Sequence, residues 1–172
     1  MQYNFTLRIY MVENRMNSVS IRLDALDKRI LAALQDNAAR TNQELAELVH
    51  ASPPTCLRRV KRLTDSGVIT RQVALLDAEK VGAGLTALVE ITLDVQSSER
   101  IVEFEQLVAS EAAVQQCYRV SPGPDFVLVM QVADMAAYHA LAHRLFANQT
   151  NVRNVRSFFS VFRSKFETRI AI

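Results

Sequence analysis

Between Leu23 and Gly67 the apolar residues recur at helical spacing, and capping residues stand where three short helices would need them. Leu23, Leu26, Ile30 and Leu34 form one stripe, with Asp24 placed to cap a first helix that ends near Asp36. Thr41 stands three residues before Glu44, a capping-box spacing, and Leu45, Leu48 and Val49 follow as the packed side of a second helix. His50 and Ala51 leave room only for a tight turn. Ser52 is then the expected hydroxyl cap of a third helix, with Pro53 at the first position, where a missing N–H is harmless. Leu57, Val60 and Leu63 are its expected packed stripe, and Gly67 suits a left-handed C-terminal cap.

Beyond this, Val68 to Leu76 is apolar enough to predict a linker strand, followed by a turn-rich hinge from Asp77 to Gly84. Leu85, Ala87, Val89, Ile91, Leu93 and Val95 alternate with Thr86, Leu88, Glu90, Thr92 and Asp94, the period of a half-buried strand. A helix capped by Ser97 or Ser98 carries Ile101, Phe104, Leu107 and Val108. Two strands, Val114 to Val120 and Phe126 to Val132, flank the turn Ser121-Pro122-Gly123-Pro124-Asp125. Asp134 caps a further helix through about Ala147, and a last strand runs from Val152 to Arg163. The order β-α-β-β-α-β predicts a ferredoxin-like sheet with both helices on one face.

The fold class is therefore α+β, with an N-terminal helix-turn-helix, winged-helix-like domain at 21–67, a linker at 68–84, a ferredoxin-like domain at 85–166 and a tail at 167–172. Residues 1–20 fit neither domain and are read as a flexible extension, with Met11 and Met16 as alternative starts. Phe126 to Met130 is apolar on both faces, as are Phe158, Phe159, Val161 and Phe162, whereas helices cover only one face. The other face predicts a two-fold, sheet-to-sheet homodimer.

Charge sharpens the division of labour. Residues 21–76 hold nine basic and six acidic side chains, residues 77–152 hold four and ten, and residues 153–172 hold five and one. A basic unit beside an acidic one separates a polyanion-binding part from a part with another task. Cys56 and Cys117 have neither metal-ligand spacing nor the density of a disulfide scaffold, so a reducing cytoplasm is expected. No apolar run reaches the ~18–20 residues of a membrane span. His139 and His143 stand four apart but lack a third ligand, and no phosphate loop or catalytic triad string is present, so no metal, cofactor or enzymatic activity is expected. The sequon Asn148-Gln149-Thr150 carries no meaning in a cytoplasmic protein.

On the third helix Thr55, Arg58, Arg59 and Arg62 lie at i, i+3, i+4 and i+7, with Lys61 at the margin. A basic helix face behind a short capped helix and a tight turn is the arrangement that enters a DNA major groove, where arginine donates two hydrogen bonds to guanine. Candidate DNA contacts are Thr41, Asn42, Ser52, Thr55, Arg58, Arg59, Lys61 and Arg62.

LDALDKRILAALQDNAARTNQELAELV followed by ASPPTCLRRVKRLTDSGVI resembles the reading head of the Lrp/AsnC (leucine-responsive, feast-or-famine) regulators, and the resemblance continues through ALLDAEKVG and VEITLDV over about residues 22–166. It implies a transcriptional regulator that binds double-stranded DNA at pseudo-palindromic promoter sites. It also implies a dimer that assembles to a tetramer or octamer, and an amino acid or related metabolite bound as effector. By the same resemblance the turn between the second and third strands contributes the effector site, here Ser121, Gly123, Asp125 and Phe126. Pro122 occupies the position where the family usually has glycine. Proline fixes φ and removes an amide donor, so an effector carboxylate bound through backbone N–H groups would have fewer donors here. An enzyme on the same scaffold, as in the sirohaem decarboxylases that resemble this family, and an architectural protein that wraps DNA are the alternatives.

Overall fold

A computed structural model describes residues 21–147 and 149–172. The expected N-terminal extension, residues 1–20, lies outside the described residues, as does Asn148. The described chain divides into two compact units, one reaching Val73 and including Glu167–Ile172, the other Ala74–Phe166.

The first unit holds α1 (Ala25–Asp36), α2 (Asn42–Leu48) and α3 (Pro53–Asp65). Asp24 and Asp27 form a reciprocal capping box at the start of α1, and Thr41 and Glu44 do the same for α2. Each box satisfies two amides that the helix leaves unpaired, an arrangement that stabilises by roughly 1 kcal/mol. No cation lies in the last turn of α1, but Arg40 reaches back to donate to the Ala33 carbonyl at 2.7 Å while pairing with Asp36 at 2.8 Å. Ile30, Leu31, Ala33, Leu45, Ala46, Val49, Cys56 and Leu63 form the buried core. Leu48, expected inside, is exposed, because Leu45, Ala46 and Val49 supply the stripe that meets the other helices.

The turn from α2 to α3 is tight enough to place His50 at φ 52°, the left-handed region that costs a non-glycine residue about 1–2 kcal/mol. The Ala51 amide, bonded to the Ala46 carbonyl at 2.9 Å, and the His50 amide, bonded to Glu47, hold it there. Gly67 adopts φ +74° beyond the C-terminus of α3, as its position predicts.

The predicted linker strand at 68–76 is not formed. Strand geometry needs a partner edge, and residues 70–77 run as irregular chain with Val73, Leu75 and Leu76 exposed. At Asp77 the carboxylate accepts from the Glu79 and Lys80 amides and starts a single turn closed by Gly82 at φ +74°.

The second unit is a four-stranded antiparallel sheet in the order β2-β3-β1-β4, with β1 Leu85–Leu93, β2 Val114–Arg119, β3 Phe126–Val132 and β4 Val152–Phe159. Helices α4 (Ser98–Ala109) and α5 (Met135–Ala142) follow β1 and β3, with Ser97 and Asp134 as their caps. α5 ends in one wider π turn, His143–Ala147, which still buries Leu145 and Phe146. Ala87, Val89, Ile91, Leu93, Phe126, Leu128 and Met130 point to the helices and are buried with Phe104, Val108, Tyr138 and Leu141. β4 ends at Phe159, four residues before the predicted Arg163. The Ser160 amide bonds to the Thr86 carbonyl, one residue from the start of β1 at Leu85, where β1 runs out as a partner, so Val161 and Phe162 are exposed rather than part of the sheet.

Candidate functional site

Helix α3 owes its orientation to Cys56, Val60 and Leu63, which repeat at i, i+4 and i+7 and face the core. The packed stripe expected from Leu57, Val60 and Leu63 is therefore rotated by one residue. Leu57 is 62% exposed. Burial raises the Cys56 pKa, so this residue is a packed thiol and not a reactive thiolate.

The rotation separates the basic residues into two groups. Arg58 and Lys61 point away from the core and have no ion pair among the described residues. Arg59 and Arg62 instead lean onto the start of α1. Arg59 Nη1 lies 2.6 Å from Asp24 Oδ2 and 3.1 Å from Asp27 Oδ1, and Arg62 Nη2 lies 2.5 Å from Asp27 Oδ2. Asp27 is wholly buried. Burial alone would raise its carboxyl pKa, but hydrogen bonds from Arg62, the Asp24 amide and Arg59 more than offset this and hold it below the ordinary value. The ion pairs fix the angle between α1 and α3.

Ser52 occupies the N-cap position of α3, but its side chain makes no capping bond to the backbone, contrary to expectation. Pro54, the second helical residue, removes one of the two amides such a cap could reach, and Ser52 Oγ pairs instead with Thr55 Oγ1 at 2.8 Å. Asn42, at the first position of α2, donates to the Pro53 carbonyl at 2.9 Å and ties the beginnings of α2 and α3 together. Thr41 is engaged in its capping box. The helix starts and the outward side of α3 thus present Thr41, Asn42, Ser52, Thr55, Arg58 and Lys61 within one unit, with Arg59 and Arg62 toward α1.

In the other unit the Ser121–Asp125 turn joins β2 to β3. Asp125 Oδ2 accepts from the Leu93 amide at 2.6 Å, and the Asp125 amide donates to the Ile91 carbonyl at 2.8 Å. The residue therefore locks the turn to the end of β1. Gly123 takes φ +123°, a conformation that side chains disfavour, while Ser121, Pro122 and Gly123 are exposed. Phe126 is fully buried, its ring 4.8 Å from that of Phe104, and supports the turn from beneath.

The sheet face away from the helices carries Leu88, Val127, Val129, Tyr118 and Phe158, with Leu88 opposite both Val129 and Phe158 in register. Leu88, Tyr118 and Phe158 are exposed. No helix among the described residues is long and apolar enough to cross a membrane.

Comparison with known proteins agrees with both halves. Residues 23–70 match the family model for winged helix-turn-helix DNA-binding domains, and residues 86–170 match that for the Lrp/AsnC ligand binding domain. The DNA-binding transcriptional activator DecR of Escherichia coli is 37% identical over 150 residues, covering 87% of this chain and 99% of DecR. An AsnC family transcriptional regulator from Agrobacterium tumefaciens superimposes with a TM-score of 0.82 at 35% identity, over 87% of this chain and 97% of that one. A Neisseria meningitidis transcriptional regulator solved as a complex with L-Met has the same TM-score at 31% identity and the same coverage. These regulators set aside the enzyme alternative. A DNA-reading helical unit followed by a βαββαβ ligand-binding unit, both matched over nearly their whole length, makes this chain a member of the Lrp/AsnC family of DNA-binding transcriptional regulators.

Proposed function

We propose that the chain works as a homodimer that lays α3 of each subunit into successive major grooves of a pseudo-palindromic promoter site, ~34 Å apart, under the control of an amino acid or related small molecule. The observation that carries this reading is the pair Arg58 and Lys61, outward and free of carboxylate partners among the described residues, on a helix whose other side is fixed to α1. Arg58 donates to a base edge or phosphate, and Lys61 neutralises phosphate. Arg59 and Arg62 have N–H groups beyond those given to Asp24 and Asp27, which reach flanking phosphates. Thr41, Asn42, Ser52 and Thr55, at the helix starts, contact the DNA backbone.

The effector site in this reading is the β2–β3 turn, with Ser121, Gly123 and Asp125 at its rim and Phe126 beneath. The Neisseria relative with bound L-Met supports an amino acid as ligand. The apolar outer sheet face supports dimerisation, and assembly of dimers into a tetramer or octamer brings these turns together. Action on promoters implies a cytoplasmic protein.

A duplex site selected from a random pool by the purified protein tests the DNA half. Arg58→Ala with Lys61→Ala is expected to weaken binding and to reduce the slope of log affinity against log salt by about one for each phosphate no longer neutralised. Unaltered affinity and slope would refute the assignment. Equal affinity for all duplexes, with a steep salt slope, would make the protein a DNA-wrapping one instead. A thermal-shift screen of free amino acids tests sensing, since a ligand of the native state raises apparent stability.

A further inference from the structure

The outward face of α3 holds one large apolar side chain among its cations. Leu57 is 62% exposed, whereas its neighbour Cys56 and Leu63, two turns on from Cys56, are fully buried. Single exposed leucines are common on protein surfaces. This one is distinguished by its place: Lys61 lies one turn on at i+4, Arg58 is adjacent, and neither cation has an ion pair among the described residues. Leu57 is not among the partly buried apolar side chains packed against the helical core, so most of its side chain is open to a partner.

A surface that carries two free cations around an apolar side chain complements a polyanion that displays an apolar group. In the major groove that group is the C5 methyl of thymine, the one apolar feature among the base edges. We infer that Leu57 is a specificity-determining residue that reads thymine by packing against this methyl, with Arg58 and Lys61 holding the helix at the required depth. The inference rests on α3 being the groove helix, as proposed above. It adds a preference for an A·T pair at one defined position of each half-site, read by shape and apolar packing and not by a hydrogen bond.

Deoxyuridine substitution isolates the methyl, because uracil keeps the pairing and the groove acceptor of thymine and lacks only that group. On the selected duplex, each thymine is replaced in turn and binding is measured by fluorescence anisotropy at fixed salt. At one position per half-site the substitution is expected to weaken the wild-type protein roughly fourfold, and roughly fifteenfold when both half-sites are changed, the value of about one buried methyl each. Leu57→Ala is expected to bind the thymine duplex more weakly by a similar factor and to be blind to the substitution. Leu57→Met, which keeps an apolar side chain against the methyl, retains sensitivity and guards against a folding artefact. A flat uridine scan with wild-type protein overturns the inference while leaving DNA binding intact, and so does an undiminished penalty in Leu57→Ala. Failure to select any duplex would overturn the groove-helix reading itself.

Discussion

Arg62, near the end of α3, donates to Asp27 in the first turn of α1 at 2.5 Å across 35 positions of sequence, and Asp27 is fully buried. The arginine is about half exposed while its partner has no solvent access, so the cost of the pair falls on the carboxylate. Asp27 is also the return half of the α1 capping box and a partner of Arg59. One carboxylate thereby joins a helix start to two side chains of α3.

Removing Asp27 should therefore loosen the reading head without touching its outward cations. Asp27→Asn keeps the shape and loses the charge, and is expected to cost about 2 kcal/mol of stability at pH 7. The pH dependence follows from the lowered pKa of Asp27. A carboxyl held below its unfolded-state value contributes stability that is fully present above the unfolded value, near 4, and is lost as pH falls through the folded value. Urea denaturation between pH 7 and pH 2.5 should show the wild-type protein losing stability below about pH 4, and the Asp27→Asn variant losing less over that interval. Identical acid profiles would remove Asp27 from this role.

The positions where pattern reading succeeded and failed follow from the range of the interactions involved. Caps at Asp24, Thr41, Ser97 and Asp134, the glycine at 67 and the bounds of β3 depend on residues a few positions apart, and each stands where its spacing placed it. The rotation of α3 was not legible. Leu57, Val60 and Leu63 at every third position and Cys56, Val60 and Leu63 at i, i+4 and i+7 are equally good stripes until α1 supplies Asp24 and Asp27 to hold Arg59 and Arg62. The linker at 68–76 has strand composition, but a strand is made by its partner, which composition cannot provide. Ser52 has the right residue type for a cap, but Pro54 removes one of the two amides it could have bonded and the Thr55 hydroxyl engages its Oγ. Asp125 was visible as a turn residue, whereas its bond to the Leu93 amide, 32 positions away, belongs to the tertiary fold.

That bond separates two roles for Asp125. Leu93 is almost fully buried, so Asp125→Ala leaves an amide there without a partner and is expected to destabilise the protein by about 1–3 kcal/mol. Asp125→Asn keeps a carbonyl acceptor for the amide, and its cost should stay below about 1 kcal/mol. If the carboxylate also faces the ammonium of a bound amino acid, the asparagine variant loses the charge-assisted hydrogen bond and should bind that amino acid at least about tenfold more weakly. Urea denaturation and titration calorimetry on the same two variants separate the outcomes. Equal affinity in wild type and Asp125→Asn would confine Asp125 to holding the turn.

Leu88 provides the corresponding handle on the proposed homodimer. It lies opposite Val129 on one neighbouring strand and Phe158 on the other, at the centre of the sheet face turned away from α4 and α5. Glu90 and Arg156, paired at 3.2 Å, carry charge on the same face, and the Arg156 guanidinium sits 5.3 Å from the Phe158 ring. An apolar centre edged by a satisfied ion pair is what a self-complementary interface requires, since symmetry places the same patch on both subunits. In the proposed dimer Leu88→Glu puts a charge into that centre twice, once from each subunit, where the nearby Arg156 already pairs with Glu90. The subunit itself should fold normally, as Leu88 is exposed in the single chain. Sedimentation velocity is expected to show the variant dissociating at about a hundredfold higher concentration than wild type. Its affinity for a two-half-site duplex should fall accordingly while that for a single half-site is unchanged, because each α3 remains intact and only their linkage is broken. A Leu88→Glu protein that stays dimeric would place the interface on another surface.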